Sequence, residues 1–236
     1  MIWHSRICFS LALALAALPL AAAVTGRVEL RDSRDPHVRK ARDFSGVVVW
    51  LEPASGGPMR TNRRARMIQK GKRFTPHILA IPVGTTVDFP NLDPIFHNAF
   101  SNFSGQVFDI GLYAPGSSRP VRFDRPGIVR IFCNIHSSMS AVIAVLNTVY
   151  FATTTASGEF LIPAVPPGEY TLHFFHERAT PQTLRSLERS VTIDGDATAL
   201  TPVSISESDY LPAPHKNKYG RDYPPAVDDG YVPGSR

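Results

Sequence analysis

The sequence predicts an all-β protein of the sandwich class. Short alternating or β-branched runs recur along the chain with Gly, Pro, Asn and Asp between them, which is typical of sandwiches and barrels. No amphipathic helix of normal length is evident, and residues 178–189 are the best candidate for a short helix or loop. The segments predicted as strands are 26–30, 46–51, 77–81, 85–89, 128–133, 141–146, 158–162, 170–175 and 190–193.

The first residues have the pattern of a secretory signal peptide. Arg6 gives a small positive region, residues 7–20 are almost entirely apolar, and residues 21–23 are alanines that suit a signal peptidase. The apolar run is too short to span a bilayer comfortably, which takes about 20 apolar residues. We therefore expect residues 1–23 to be a signal peptide. The mature chain would be exported, periplasmic if the source is a Gram-negative bacterium, and not transmembrane.

Cleavage of the leader changes the number of cysteines. Cys8 would leave with the leader, so that Cys133 becomes the only thiol of the mature chain. It then has no partner for an internal disulfide in an oxidising compartment. A buried cysteine acting as a small apolar residue is one interpretation, and a metal thiolate is the other. The neighbours of Cys133 favour the thiolate.

Four residues supply the donors of a mononuclear copper site. Cys133, His136 and Met139 form the pattern Cys-x-x-His-x-x-Met at the end of a predicted strand, and His97 follows another predicted strand. A type 1 (blue) copper site needs two imidazoles, a thiolate and a weak axial donor such as a thioether. The spacing and strand context therefore predict one type 1 copper ion.

Other chemistries fit these residues less well. Zinc accepts a Cys-His-His set but has little use for a thioether, so Met139 favours copper. A Cys/His nucleophile pair would leave His97 and Met139 unexplained and offers no obvious oxyanion site. A c-type haem is excluded because the chain contains no Cys-x-x-Cys-His.

The motifs around the four residues resemble those of the cupredoxins. Asn-x-Asp followed by His-Asn occupies residues 91–98, Phe-Asp-x-Gly occupies 108–111, and Phe-Asp-x-Pro-Gly at 123–127 leads into the cysteine motif. The short ligand loop is most similar to that of amicyanin, and plastocyanin and pseudoazurin are more distant. The whole chain resembles bacterial proteins loosely called methylamine utilization proteins, a label that does not establish a substrate.

The resemblance implies roles for individual residues. His97, Cys133 and His136 would be the equatorial copper ligands and Met139 the axial one. Asn98 would link the two ligand loops by hydrogen bonds and so orient the thiolate. His136 would be the exposed port for electrons, and a protein redox partner would dock near it. The apolar patch around this port would be formed by Pro94, Phe96 and Ile135.

The remaining sequence predicts a second β domain. Residues 153–160 and 165–172 resemble the second half of the small transthyretin-like sandwich that serves as the regulatory domain of carboxypeptidases, and 26–28 and 46–51 fit its first half. If the copper domain is inserted into that sandwich, strand 47–51 should pair with strand 170–175. The predicted organisation is a cupredoxin Greek-key β-sandwich over 59–147, a split transthyretin-like β-sandwich over 24–58 and 148–206, and a flexible tail over 207–236.

The charge pattern adds one feature. The formal net charge is +5 and the basic residues cluster, at Arg60, Arg63, Arg64, Arg66, Lys70, Lys72 and Arg73. Export argues against nucleic acid as the partner, which leaves a solvated loop or a docking patch for an acidic protein. His173 and His176 would lie on opposite faces of one strand and could not share a metal. His37 and His77 lack ligand partners in register, and His215 lies in the tail and could bind a metal only loosely.

The expected function is one-electron transfer by a non-enzymatic protein, with copper cycling between Cu(I) and Cu(II). Periplasmic copper storage, delivery or sensing is the alternative, and a structural adhesion module with an incidental metal is a third hypothesis. Reduction potential and copper exchange rate separate the first two, because a carrier releases copper readily and an electron shuttle retains it. The redox partner and the oligomeric state are left open by the sequence.

Overall fold

The computed structural model describes residues 21–56, 60–102, 105–211, 214–225 and 231. All but the last three residues of the predicted signal peptide lie outside this part of the chain. Ala22 begins the first strand and is paired with Val165.

β-Strand is the predominant regular secondary structure of the described residues, which confirms the predicted all-β fold class. Each segment predicted as a strand overlaps an observed strand, and the predicted short helical segment contains helix α2 (Pro181–Ser186). Helix α1 (Pro36–Ala41) was not predicted, and Asp35 caps it by accepting a hydrogen bond from the His37 backbone N–H. The elements are β1 (Ala22–Arg31), α1 (Pro36–Ala41), β2 (Val48–Pro53), β3 (Arg64–Arg66), β4 (Ile68–Gln69), β5 (Phe74–Thr75), β6 (Ile78–Pro82), β7 (Thr85–Pro90), β8 (Phe100–Ser101), β9 (Phe108–Asp109), β10 (Ser118–Phe123), β11 (Gly127–Phe132), β12 (Ser140–Leu146), β13 (Phe151–Thr153), β14 (Glu159–Val165), β15 (Gly168–Phe175), α2 (Pro181–Ser186), β16 (Arg189–Ile193), β17 (Thr198–Ala199) and β18 (Val203–Ser206).

The two ends of the chain form one sandwich, which we call the flanking sandwich. One sheet has β1 at its centre, antiparallel to β14 and parallel to β17 and β18. The other sheet has the order β13-β2-β15-β16. Its β2–β15 pairing places Leu51 opposite Leu172 and Val49 opposite Phe174, which is the pairing that the split arrangement requires. Buried side chains of both sheets form its core, among them Val28, Val49, Ile162, Leu172 and Ile205.

The segment between β2 and β13 forms a second sandwich, which we call the inserted sandwich. Its sheets have the orders β10-β7-β3 and β6-β12-β11-β8-β9. The core between them contains Val87, Phe89, Phe123, Ile131 and Ile143, all fully buried. The strands β7 and β11 lead into the two loops that carry the predicted copper ligands, so the register of these buried strands positions the loops.

The two sandwiches pack against each other through strands that are apolar on both faces. In β12, Ile143 points into the inserted core, and its neighbours Val142 and Ala144 contact the flanking sandwich. Alternation of side chains across a strand explains this division. On the flanking side, Val48 and Phe175 complete the interface cluster. Both faces of β12 are covered by other strands, and this explains why its sequence is an uninterrupted apolar run.

No helix in the described part of the chain combines the length and apolar character needed to cross a membrane. Parts of the segment predicted as a flexible tail contact the two sandwiches. Glu207 is buried and accepts hydrogen bonds from His176 and Arg178. Residues 214–225 contact the ligand loops, as described below.

Candidate metal centre

Two loops at one end of the inserted sandwich bring together two imidazoles and a thiol. His97 lies in the loop between β7 and β8, and Cys133 and His136 lie in the loop between β11 and β12. Cys133 Sγ is 3.6 Å from His136 Nδ1 and 4.0 Å from His97 Nδ1, and the two Nδ1 atoms are 3.1 Å apart. His97 and Cys133 are fully buried and His136 is half-buried. Among the described residues, no other group of three or more His, Cys, Asp or Glu side chains lies close enough together to bind one metal ion.

The spacing of the three donors is close to the spacing around a first-row metal ion. An ion bonded at about 2.0 Å to nitrogen and about 2.3 Å to sulfur holds such donors about 3.3–3.7 Å apart. Met139, the predicted axial ligand, is fully buried in the same core cluster as Cys133. Its backbone closes the loop, because Met139 N–H donates to His136 O and Met139 O accepts from Cys133 N–H. The donor chemistry of two imidazoles, a thiol and a thioether suits copper.

The surroundings of Cys133 affect its protonation. Burial raises the pKa of the Cys133 thiol, although hydrogen bonds from the backbone N–H groups of Ile135, Asn98 and His136 oppose the shift. The thiol therefore retains its proton in the metal-free protein, and metal binding would release it. The same N–H groups would stabilise the thiolate that forms.

Asn98 links the two ligand loops. Its side-chain oxygen accepts a hydrogen bond from the Asn134 backbone N–H at 3.2 Å. Its side-chain nitrogen donates to Asp109 Oδ1 at 2.7 Å, and its carbonyl oxygen accepts from Gln69 Nε2. The residue next to His97 is thereby bonded to the residue next to Cys133, which restricts movement of one loop relative to the other.

A buried carboxylate, Asp93, contacts the His97 ring on the side away from the donor cluster. Asp93 Oδ2 lies 2.8 Å from His97 Nε2, and both side chains are fully buried. Burial raises the pKa of Asp93, but hydrogen bonds from Lys72 N–H, His97, Gly71 N–H and the Tyr231 hydroxyl outweigh it and lower the pKa. The ionised carboxylate holds the Nε2 proton of His97, so that Nδ1, which faces His136 and Cys133, is the candidate metal donor of this ring.

Sequence reasoning assigned no role to Asp93. Asp93 lies four residues before His97, within the Asn-x-Asp motif, and this spacing was the available indication of a contact. Whether the two side chains meet depends on the conformation of the loop.

The predicted basic cluster divides into two parts. Arg64 and Arg66 belong to the edge strand β3, where Arg64 is paired with Asp88. The turn after β4 reaches the metal centre, because Gly71 N–H and Lys72 N–H donate to Asp93 at 2.6 and 2.9 Å. Part of the basic stretch therefore lies beside a candidate ligand.

The remaining histidines pair with other groups. His173 contacts Glu52 and Glu188 and stacks on Trp50, whereas His176 is buried against Glu207. His77 is bonded to Glu177 across the junction of the two sandwiches. His215 lies on the ligand loop, where its Nε2 is 2.8 Å from Ser137 O.

A two-sheet sandwich whose end loops hold a buried thiol between two imidazoles defines a cupredoxin-like fold with a candidate copper centre. Two cupredoxins and a copper-containing nitrite reductase are among the solved structures that the chain is similar to. A purple cupredoxin from Nitrosopumilus maritimus is 26% identical with a TM-score of 0.33, over 35% of this chain and 99% of that protein. Amicyanin from Paracoccus versutus is 17% identical with a TM-score of 0.34, over 41% and 91%.

A copper-containing nitrite reductase from Thermus scotoductus is 27% identical with a TM-score of 0.35, over 42% of this chain and 27% of the reductase. Each of these similarities covers less than half of this chain. No family model matches the sequence, and no curated protein matches it.

Proposed function

We propose that this chain binds one type 1 copper ion through His97, Cys133, His136 and Met139 and transfers single electrons. The observation that carries the proposal is the preformed donor cluster, in which the imidazole and thiol atoms lie 3.1–4.0 Å apart. When bound, copper supplies the one-electron redox couple. The protein contributes a rigid donor set, so that little rearrangement accompanies the change between Cu(I) and Cu(II).

Exposed apolar side chains on the ligand loops support a docking role. Phe96 is 56% exposed and Ile135 is 42% exposed, each directly before a candidate ligand. Leu92 and Leu112 on neighbouring loops are 53% and 54% exposed. Exposed apolar groups concentrated at one site are typical of protein–protein contact surfaces. We propose that a redox partner docks on this surface near His136 and that the protein acts after export, as a carrier of electrons and not as an enzyme.

The visible absorption spectrum after addition of Cu(II) tests the proposal. The wild-type protein should bind one copper ion per chain and show an intense band from thiolate-to-Cu(II) charge transfer. Cys133→Ser should lose the band, whereas Ser138→Ala, an exposed position of the same loop, should retain it. Tight binding of Cu(I) without the coloured Cu(II) form would instead favour copper storage, delivery or sensing. Failure to bind either ion would overturn the assignment of the site.

A further inference from the structure

The segment 214–225 of the tail lies against the candidate copper loop. Its composition is rich in Pro, Tyr and Lys, and such sequences often remain disordered. Here the chain leaves the flanking sandwich after β18 and reaches the ligand end of the inserted sandwich. The side chains of Tyr223 and His215 contact the loop between β11 and β12. Lys218 contacts the same loop through its backbone N–H and Asp109 of β9 through its side chain.

Tyr223 and His215 hold the loop between β11 and β12 at two points. The Tyr223 hydroxyl donates to the carbonyl oxygen of Cys133 at 2.8 Å, and His215 Nε2 lies 2.8 Å from Ser137 O. The His215 ring stacks on Phe132, with ring centroids 4.1 Å apart, and its Nδ1 is 3.2 Å from the Tyr223 hydroxyl. The backbone on both sides of His136 is therefore bonded to the tail.

Lys218 connects the tail to both ligand loops. Its backbone N–H donates to Asn134 Oδ1 at 3.0 Å, and its Nζ donates to Asp109 Oδ2 at 2.7 Å. Asp109 in turn accepts from Asn98, the residue that follows His97. Lys218 thus completes a ring of hydrogen bonds that includes both loops.

We propose that Tyr223, His215 and Lys218 clamp the copper-ligating loop and slow the release of copper. This inference rests on the proposed copper function. Release of a buried ion requires the loop between Cys133 and Met139 to move, and each of the clamp's contacts must break or stretch when it does. The clamp leaves the docking surface accessible, since Ile135 stays 42% exposed. The three residues act as positioning residues, because none of them offers a donor to the cluster.

Copper release to an excess of a competing chelator tests the clamp. In the full-length protein, Tyr223→Phe removes the hydrogen bond to Cys133 O together with the 3.2 Å contact between the hydroxyl and His215 Nδ1. Tyr219→Phe is the matched control, because Tyr219 is 69% exposed and phenylalanine keeps the ring that lies beside Lys218 Nζ. A hydrogen bond with a net contribution of about 0.5–1.5 kcal/mol predicts release about 2–12 times faster for Tyr223→Phe. Lys218→Ala, which breaks a separate contact, should also accelerate release.

Three outcomes of this experiment are informative about the clamp and the proposed function. Release at the control rate by both variants, with copper bound and the charge-transfer band intact in the wild type, would overturn the clamp and leave the proposed function standing. A wild-type protein that binds no copper would overturn both. Faster release by the variants, with a metal-free unfolding temperature equal to that of Tyr219→Phe, would support the clamp and exclude a general loss of stability.

Discussion

Replacing Asp93 with asparagine tests how the buried carboxylate acts on the candidate ligand His97. Asp93 Oδ2 is 2.8 Å from His97 Nε2, and the carboxylate accepts three further hydrogen bonds, from Gly71 N–H, Lys72 N–H and the Tyr231 hydroxyl. The side chain of Asp93 is fully buried, so water does not screen its charge. Asparagine keeps the size of the side chain and removes the charge.

The expected effect follows from the sign of that charge. A negative group bonded to an imidazole makes the imidazole a stronger donor, and it stabilises Cu(II) more than Cu(I) because Cu(II) carries the larger charge. Loss of such a partner typically costs about 10–100-fold in metal affinity. If the loss falls on Cu(II) alone, the reduction potential rises by about 60–120 mV, at 59 mV for each factor of ten in a one-electron couple.

A redox titration of the copper-loaded protein, followed by its visible absorption, measures this shift. Asp88→Asn is the matched control, because Asp88 carries the same charge on strand β7 and is paired with Arg64 away from the donor cluster. The unfolding temperature of the metal-free variants establishes that both are folded. A folded Asp93→Asn protein with the potential and Cu(II) affinity of Asp88→Asn would refute the reasoning.

Two further predictions concern stability. Burial raises the pKa of Glu207, but hydrogen bonds from His176, Arg178 and Ser33 outweigh it and lower the pKa from 4.5 to about 2. A lowered pKa contributes stability that is present above pH 4.5 and is lost as the pH falls towards 2. Urea unfolding of the wild-type protein should therefore show a decrease in the free energy of unfolding of at most about 3 kcal/mol over this pH range. Glu207→Gln should lack this decrease. Identical pH profiles for the two proteins would contradict this. Gly158→Ala should destabilise the flanking sandwich more than Gly116→Ala in thermal unfolding. Both glycines have positive φ, +83° at Gly158 and +74° at Gly116, but only at Gly158 would an added Cβ lie 2.0 Å from Val28 O. Gly116→Ala should therefore lose only the stability that a left-handed backbone costs, about 1–2 kcal/mol. Equal losses of stability by the two variants would contradict this, because they would mean that the contact between the added Cβ and Val28 O is relieved at no cost.

The strands and the grouping of candidate donors in one loop could be predicted from the sequence because both are local. Alternation of apolar residues and the turns between them depend on neighbours in the chain, and β12 could be recognised by its uninterrupted apolar run. The spacing of Cys133, His136 and Met139 confines three potential donors to one short loop, so their proximity follows from covalent geometry. To predict that His97 lies beside this loop, only one further expectation was needed, that the ends of the two strands meet at one edge of a sandwich.

Tertiary structure decided the contacts between residues distant in sequence. The carboxylate partner of His97 depends on the conformation of its loop and on the turn that supplies Lys72 N–H. The contact of Tyr223 with Cys133 joins residues 90 positions apart, and the polar composition of the tail gave no indication of it. Composition measures how much apolar surface a segment can bury, whereas this tail is held by hydrogen bonds whose partners exist only after the inserted sandwich has folded.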